Sequence, residues 1–224
     1  MNLISKVPRL VKPNNLLKLA TSARFQSTLD SSKAEAKPVE GEAYRDLTPS
    51  ELESIRTMLR INQAGEIGAN YIYMGQYQVF KNDKNLKDLI FHMWEQEKVH
   101  LNKFNELIPE YRSRPTALMP LWKLAGFAVG AGTALMGKET AMMCTEAVET
   151  VIGGHYNDQL RELANIKNKD VDELRKVIKQ FRDDELEHLD TAVEYDAHQA
   201  PLHSFMSNVI KGGCKAAIWV CSKV

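Results

Sequence analysis

Apolar residues recur at alternating steps of four and three along four long stretches of the chain, the spacing of a helix face that packs in a bundle. The first stretch begins at Thr48-Pro49-Ser50-Glu51, a capping box with proline at the first helical position, and is predicted to run to about Phe80. The other three cover about 84–108, 138–166 and 170–198, and no convincing period-two strand occurs. The pattern predicts an all-α protein built on a four-helix bundle.

Two of these apolar stripes contain ionisable residues. In the second helix Glu97 and His100 continue the stripe of Leu86, Ile90, Met93, Phe104 and Leu107. In the fourth helix Glu185 and His188 continue the stripe of Val171, Leu174, Ile178, Phe181, Ala192 and Tyr195. The neighbouring acids Asp183, Asp184, Glu187 and Asp190 lie off that stripe, as on a solvated face. Because an unpaired buried carboxylate is costly, each stripe needs a compensating cation.

The first and third helices each add one carboxylate to this set. Glu66 lies in the first stripe between Gly65 and Gly68, which we expect to permit close approach of another helix. Glu149 lies in the third stripe, but Glu146 is one turn away and competes for the same role. The residue pattern alone leaves that choice open.

In chain order the pattern is Glu66, Glu97-x-x-His100, Glu149 and Glu185-x-x-His188, an internal repeat. Residues three apart project from the same side of a helix, so each pair offers an oxygen and a nitrogen to one ion. Four carboxylates and two imidazoles suit the two bridged divalent ions of ferritin-like bundles, and the absence of thiolates favours iron or manganese over zinc. A buried salt-bridge network is the alternative, but none of the four stripes contains the Lys or Arg it would need.

Composition divides the chain into an N-terminal segment and one domain. Residues 1–29 carry five Lys or Arg and no acid, which is typical of a mitochondrial transit peptide; an ordinary basic tail is the alternative. Residues 30–47 read as a flexible linker and 48–224 as the metal-binding domain. Without the five basic residues the chain has 24 Lys and Arg against 29 acids, which argues against nucleic acid as a partner. Three unpaired cysteines indicate a reducing compartment.

Two further segments are apolar enough to lie on a membrane surface. Residues 115–137 carry only Lys123 as a charge, and the uncharged run 124–136 is too short to span a bilayer. Residues 202–224 contain three lysines and no acid, with Trp219 suited to the depth of lipid headgroups. Both read as amphipathic surface helices. A bundle crossover and an ordinary packing helix are the alternatives.

With these residues in view, the chain resembles the demethoxyubiquinone hydroxylase family of ubiquinone biosynthesis. The resemblance covers about 50–222 and is carried by 62–70 (NQAGEIGAN), 93–100 (MWEQEKVH), 115–122 (PTALMPLW), 130–135 (GAGTAL), 147–149 (AVE), 155–156 (HY) and 184–188 (DELEH). Carried over by position, it implies that the iron ligands are Glu66, Glu97, His100, Glu149, Glu185 and His188. It thereby favours Glu149 over Glu146. Gln63 stands where animal members have histidine, and no ligand role depends on it.

The resemblance also implies an activity and a location. The expected enzyme is a monooxygenase with two ferrous ions, using O2 and electrons ultimately from NADH to hydroxylate a demethoxyquinone ring. It would lie on the matrix side of the mitochondrial inner membrane, in a ubiquinone-synthesis complex with a lipid-binding partner protein. His155 and Tyr156 are candidates for orienting the ligands, or else packing residues. A di-iron quinol oxidase, an iron-storage bundle and a purely structural bundle are the competing functions.

Overall fold

The computed structural model describes residues 46–224, which fold into six α helices and one short 3-10 helix. No strand occurs within that range. The helices are α1 (Pro49–Phe80), α2 (Lys87–Glu110), α3 (Met119–Leu135), α4 (Lys138–Leu163), α5 (Lys169–Glu194), the 3-10 helix η1 (Ala197–Gln199) and α6 (His203–Cys221). The predicted transit peptide and nearly all of the predicted linker lie outside the described residues.

Four of the helices form the ferritin-like bundle, which confirms the predicted all-α fold. Helix α1 packs on α2, and α4 packs on α5. Two large apolar clusters make up most of the bundle core. One contains Ile55, Phe104, Tyr156 and Phe181, and the other contains Tyr73, Met93, Met142 and Ala192. In each bundle helix the ionisable stripe residues stand between a member of the first cluster and a member of the second, so they occupy the middle of the bundle.

The helix ends differ from the prediction at three places, of which the simplest is the end of α4 at Leu163 rather than near 166. Helix α2 begins at Lys87 because the Asp83 side chain accepts hydrogen bonds from the backbone N–H groups of Asn85 and Leu86 and holds 84–86 in a turn. Helix α5 ends at Glu194 rather than near 198, because Asp196 adopts a left-handed φ of 72°. The predicted start of α1 is confirmed: Thr48 and Glu51 form the capping box.

Helix α3 is the crossover between the two halves of the bundle, and it packs closely along α1. The expectation that the missing side chains of Gly65 and Gly68 permit this approach was wrong, since a Cβ at either position would meet no atom within 4 Å. The backbone of Gly68 does take part, because a Cβ at Gly126 would come within 2.6 Å of the Gly68 carbonyl oxygen. The closest contacts are instead at Gly75, Gly126 and Gly130. At Gly130 a Cβ would come within 2.0 Å of the Ile72 carbonyl oxygen. Glycine on both helices therefore sets their distance.

Helix α6 packs on α4 and touches α1, and together with α3 these helices enclose an apolar cavity of about 390 Å³. Gly65, Gly68, Trp122, Val148 and Ile218 are among its lining residues, and none of the lining residues is charged. Gly65 and Gly68 thus leave open space beside the stretch of α1 that carries Glu66. Within the described part of the chain, no helix combines the length and hydropathy needed to cross a membrane.

Candidate metal centre

The structure brings all six residues of the sequence pattern together in the middle of the bundle. They form two groups, in each of which one ligand atom per residue lies within 4.8 Å of the others. The first group is Glu66, Glu97, His100 and Glu185, and the second is Glu97, Glu149, Glu185 and His188. All six side chains are buried. Because Glu97 and Glu185 belong to both groups, the arrangement suits two ions bridged by two carboxylates.

The histidines face the carboxylates through the same ring nitrogen. His100 Nδ1 lies 3.1 Å from Glu185 Oε1 and 3.6 Å from Glu66 Oε2. His188 Nδ1 lies 3.2 Å from Glu97 Oε1 and 3.2 Å from Glu185 Oε2. Each imidazole therefore presents one nitrogen to one group, as the two Glu-x-x-His motifs require.

The acid-base properties of the centre reflect crowded, buried carboxylates. Burial raises the pKa of Glu97 well above its usual value, and the charges of Glu185 and Glu66 raise it further. Burial and the charge of Glu185 likewise raise the pKa of Glu149. Burial opposes ionisation of Glu185, but the imidazoles of His100 and His188 directly beside the carboxylate outweigh it and lower the pKa of Glu185 to about 2. The crowding of carboxylates therefore favours the uptake of protons or of cations.

Several of these buried atoms lack a hydrogen-bond partner. They are Glu66 Oε2, both carboxylate oxygens of Glu97, Glu149 Oε2, Glu185 Oε1 and His100 Nδ1. Such groups are rare in native structures because each carries an uncompensated desolvation cost. A pair of divalent cations would satisfy all of them at once, so the donor set fits two ions of the iron or manganese type.

The outer nitrogen of each histidine is held by a residue that sequence reasoning missed. His100 Nε2 lies 3.2 Å from Asp184 Oδ2, and His188 Nε2 lies 3.1 Å from Gln96 Oε1. The sequence pattern places Asp184 on a solvated face, but its side chain is only 14% exposed. Each partner directly precedes the glutamate of one motif and holds the histidine of the other. That symmetry is the signal that could have identified them in the sequence.

Two tyrosines hold the outer glutamates. The Tyr73 hydroxyl donates to Glu149 Oε1 at 2.9 Å, and the Tyr156 hydroxyl donates to Glu66 Oε1. Tyr156 thus contacts the centre, whereas His155 does not: its Nε2 accepts a hydrogen bond from Gln159 at 2.8 Å. In the sequence Tyr73 stands out only as a stripe residue.

Glu149 and Glu146 lie at different sites. Glu149 belongs to the second group of the centre, whereas the Glu146 carboxylate contacts His198 and His203. The one-turn ambiguity of the sequence is therefore resolved geometrically in favour of Glu149 as a member of the centre. The identity of the bound ion, and ligation itself, stay predictions.

Comparison with known proteins identifies the family. A family model described as "Ubiquinone biosynthesis protein COQ7" matches residues 53–221. The chain belongs to the COQ7 family. All six residues of the centre lie within the matched range, so this membership confirms the resemblance to demethoxyubiquinone hydroxylases.

Curated members of the COQ7 family are similar over most of their length. The chain is 45% identical over 206 residues to the 5-demethoxyubiquinone hydroxylase, mitochondrial, of Saccharomyces cerevisiae, covering 87% of this chain and 88% of that protein. It is 51% identical over 170 residues to the mouse NADPH-dependent 3-demethoxyubiquinone 3-hydroxylase, mitochondrial, covering 76% and 78%. A protein of the same name from Dictyostelium discoideum is 44% identical over 225 residues, with full coverage of both.

Proposed function

We propose that this chain hydroxylates the ring of a demethoxyubiquinone intermediate in ubiquinone biosynthesis, as a monooxygenase with two iron ions. The main structural support for this proposal is the presence of two buried groups of Glu and His side chains that share Glu97 and Glu185. Family membership and the names of the relatives support the reaction. When bound, two ferrous ions supply the electrons with which O2 is activated.

The chain's own residues position and shield this chemistry. Gln96 and Asp184 fix the ring orientations of His188 and His100 by contacting the outer nitrogens. Tyr73 donates a hydrogen bond to Glu149 Oε1 and Tyr156 donates one to Glu66 Oε1. The Oε2 atom of each glutamate accepts no hydrogen bond and is therefore available to an ion. The two apolar clusters above and below the centre exclude water from it.

The apolar cavity is the proposed site for the quinone. It contains no charged lining residue, and Gly65 in its wall directly precedes Glu66. An aromatic ring with an isoprenoid tail requires an apolar pocket of this kind. Because glycine adds no side chain, the ring can lie against α1 beside the metal-binding glutamates.

A membrane surface is the proposed source of the substrate. Helices α3 and α6 both line the cavity, and both expose large apolar side chains. Leu124 is 70% exposed, Phe205 68% and Trp219 65%. A protein docked through these helices takes up the quinone ring while the tail stays in lipid. The names of the relatives support a mitochondrial location, and we propose the matrix side of the inner membrane, within a complex containing a lipid-binding partner protein.

Docking is tested by flotation with liposomes that contain anionic lipid. The double variant Phe205→Ser/Trp219→Ser is expected to lose most binding, because it removes two apolar side chains that would insert into the lipid. It should still fold, because both side chains are exposed and their removal opens no core cavity. Val193→Ser is the matched control, since Val193 is exposed on α5, which does not line the cavity. Equal binding by both variants would contradict docking through α6.

The reaction is tested with iron-loaded protein, demethoxyubiquinone in vesicles, 18O2 and either NADPH or NADH as reductant. The resemblance implied NADH, whereas the mouse relative is named for NADPH; we propose a reduced nicotinamide nucleotide, and the assay compares the two. The expected product is a hydroxylated ring that carries one 18O atom. A quinol oxidase would instead consume 18O2 without labelling the ring, and that result would overturn the proposal.

A further inference from the structure

A second cluster of metal-ligating side chains lies outside the six-residue centre. Glu146 of α4, His198 of η1 and His203 at the start of α6 each offer one ligand atom within 4.8 Å of the others. His203 Nε2 lies 2.7 Å from Glu146 Oε2, and His198 Nε2 lies 3.5 Å from Glu146 Oε1. The two imidazole rings are nearly perpendicular, with centroids 5.1 Å apart. Two imidazoles thus converge on one carboxylate from different segments.

The charge of Glu146 is not balanced by a permanent cation. Its side chain is 11% exposed, and its ion-pair partners in the described part of the chain are these two histidines, which are charged only when protonated. The nearby Lys138 contacts Asp196 and Glu139 instead. A mostly buried carboxylate is costly without a compensating cation. A metal ion would supply the missing charge.

We propose that Glu146, His198 and His203 bind one divalent cation of the zinc class, independently of the six-residue centre. Two histidines and one glutamate form a recognised zinc ligand set, with water in the fourth position. Ligand atoms around a tetrahedral zinc lie about 3.4 Å apart, given Zn–N and Zn–O lengths near 2.1 Å. The observed separations, 2.7 Å from His203 Nε2 to Glu146 Oε2 and 3.5 Å from His198 Nε2 to Glu146 Oε1, lie within about 0.7 Å of that value. His198 is 59% exposed, which leaves a path for the ion.

The bound ion would fasten α6 to α4. The turn that carries both histidines contains Asp196 and Leu202 at φ of 72° and 52°, conformations that non-glycine residues rarely adopt. Such a turn persists only where surrounding contacts hold it. Because α6 forms one wall of the apolar cavity, the ion would hold that wall in place.

The test is zinc stoichiometry on the metal-stripped full chain, measured after saturation with ZnCl2 and gel filtration. Because the six-residue centre could also take up zinc, the comparison is made in an E97Q background, which lacks one of the two carboxylates that its two groups share. We expect one zinc per chain in E97Q and none in E97Q/H203Q or E97Q/H198Q. His92 belongs to neither metal group, so E97Q/H92Q is the control and is expected to retain one zinc. An equal zinc content in E97Q and E97Q/H203Q would overturn the proposal, however much zinc the six-residue centre binds.

A second measurement tests the fastening role in the otherwise native chain. Zinc is expected to slow amide hydrogen exchange in α6 at least about tenfold, equivalent to about 1.4 kcal/mol. The protection should be absent in H203Q, whose glutamine can still donate a hydrogen bond to Glu146 and so maintain the fold. Equal protection of α6 in both proteins would show that zinc does not act through this site.

Discussion

The replacement Glu97→Gln separates a metal centre from a structural salt-bridge network. Glu97 is 0% exposed, neither of its carboxylate oxygens accepts a hydrogen bond, and Glu185 and Glu66 both disfavour its charge. Glutamine keeps the shape of the side chain and removes the charge. In the metal-free protein the variant should therefore be more stable than the wild type.

The magnitude follows from the cost of burying an unsatisfied polar group, about 1–3 kcal/mol. We expect the free energy of unfolding of metal-free Glu97→Gln to rise by about that amount. Each kcal/mol corresponds to about 2–4 °C in Tm for a chain of this size. The wild type should recover the difference on adding metal, since binding to the folded state at 100 times Kd contributes about 2.7 kcal/mol. The Glu97→Gln variant should gain little stability on adding metal, because it lacks a carboxylate that belongs to both groups of the centre.

The assay is chemical denaturation of EDTA-treated and Mn²⁺-loaded protein. Glu95→Gln is the control, because Glu95 lies on the same helix but is exposed and paired with Lys98. Its effect should stay within about 0.5 kcal/mol in both states. If Glu97 instead belonged to a structural ion network, removing its charge would cost about 3–5 kcal/mol in the metal-free protein. That result would refute the metal-centre interpretation.

Three further outcomes are expected. Glu185→Ala should abolish iron binding because Glu185 belongs to both groups, while Glu187→Ala should retain about two irons per chain by elemental analysis; equal losses would contradict the assigned faces. Gly65→Leu should fill part of the cavity and raise the quinone KM at least about tenfold without loss of Tm, whereas Gly154→Leu, also in open space, should leave KM unchanged. The pKa of Glu97 is higher in the folded than in the unfolded protein, so the metal-free protein should lose stability as pH rises above 4.5. The pKa of Glu185 is lowered to about 2 on folding, so its contribution to stability is lost as pH falls below 4.5. A Tm of the metal-free protein that rises from pH 6 to pH 8 would contradict the first expectation.

The bundle and the residues of the centre were predictable because both are encoded in one-dimensional periodicity. A glutamate that replaces an apolar residue in a stripe must face the core, whatever the neighbouring helices do. Periodicity is therefore sufficient to place Glu66, Glu97 and Glu185 in the core. Glu149 needed the family resemblance, because Glu146 also faces inward and only the packing of α6 separates their surroundings.

Contacts that join distant segments were not predictable from periodicity. Asp184 and Gln96 lie just beside the stripes, so their exposure depends on how α2 and α5 cross. The missing side chains of Gly65 and Gly68 were wrongly interpreted as the cause of close helix packing, because an open position and a closely packed glycine look the same in a sequence. The meeting of His203 with Glu146 depends on a left-handed residue, Asp196, which no helix pattern reveals.

The most direct test of the central claim is anomalous X-ray scattering at the iron edge from crystals of the iron-loaded protein. We expect two iron peaks about 3.5–4 Å apart between Glu97 and Glu185, one beside His100 and the other beside His188. A single peak, or iron found away from these four side chains, would contradict the account.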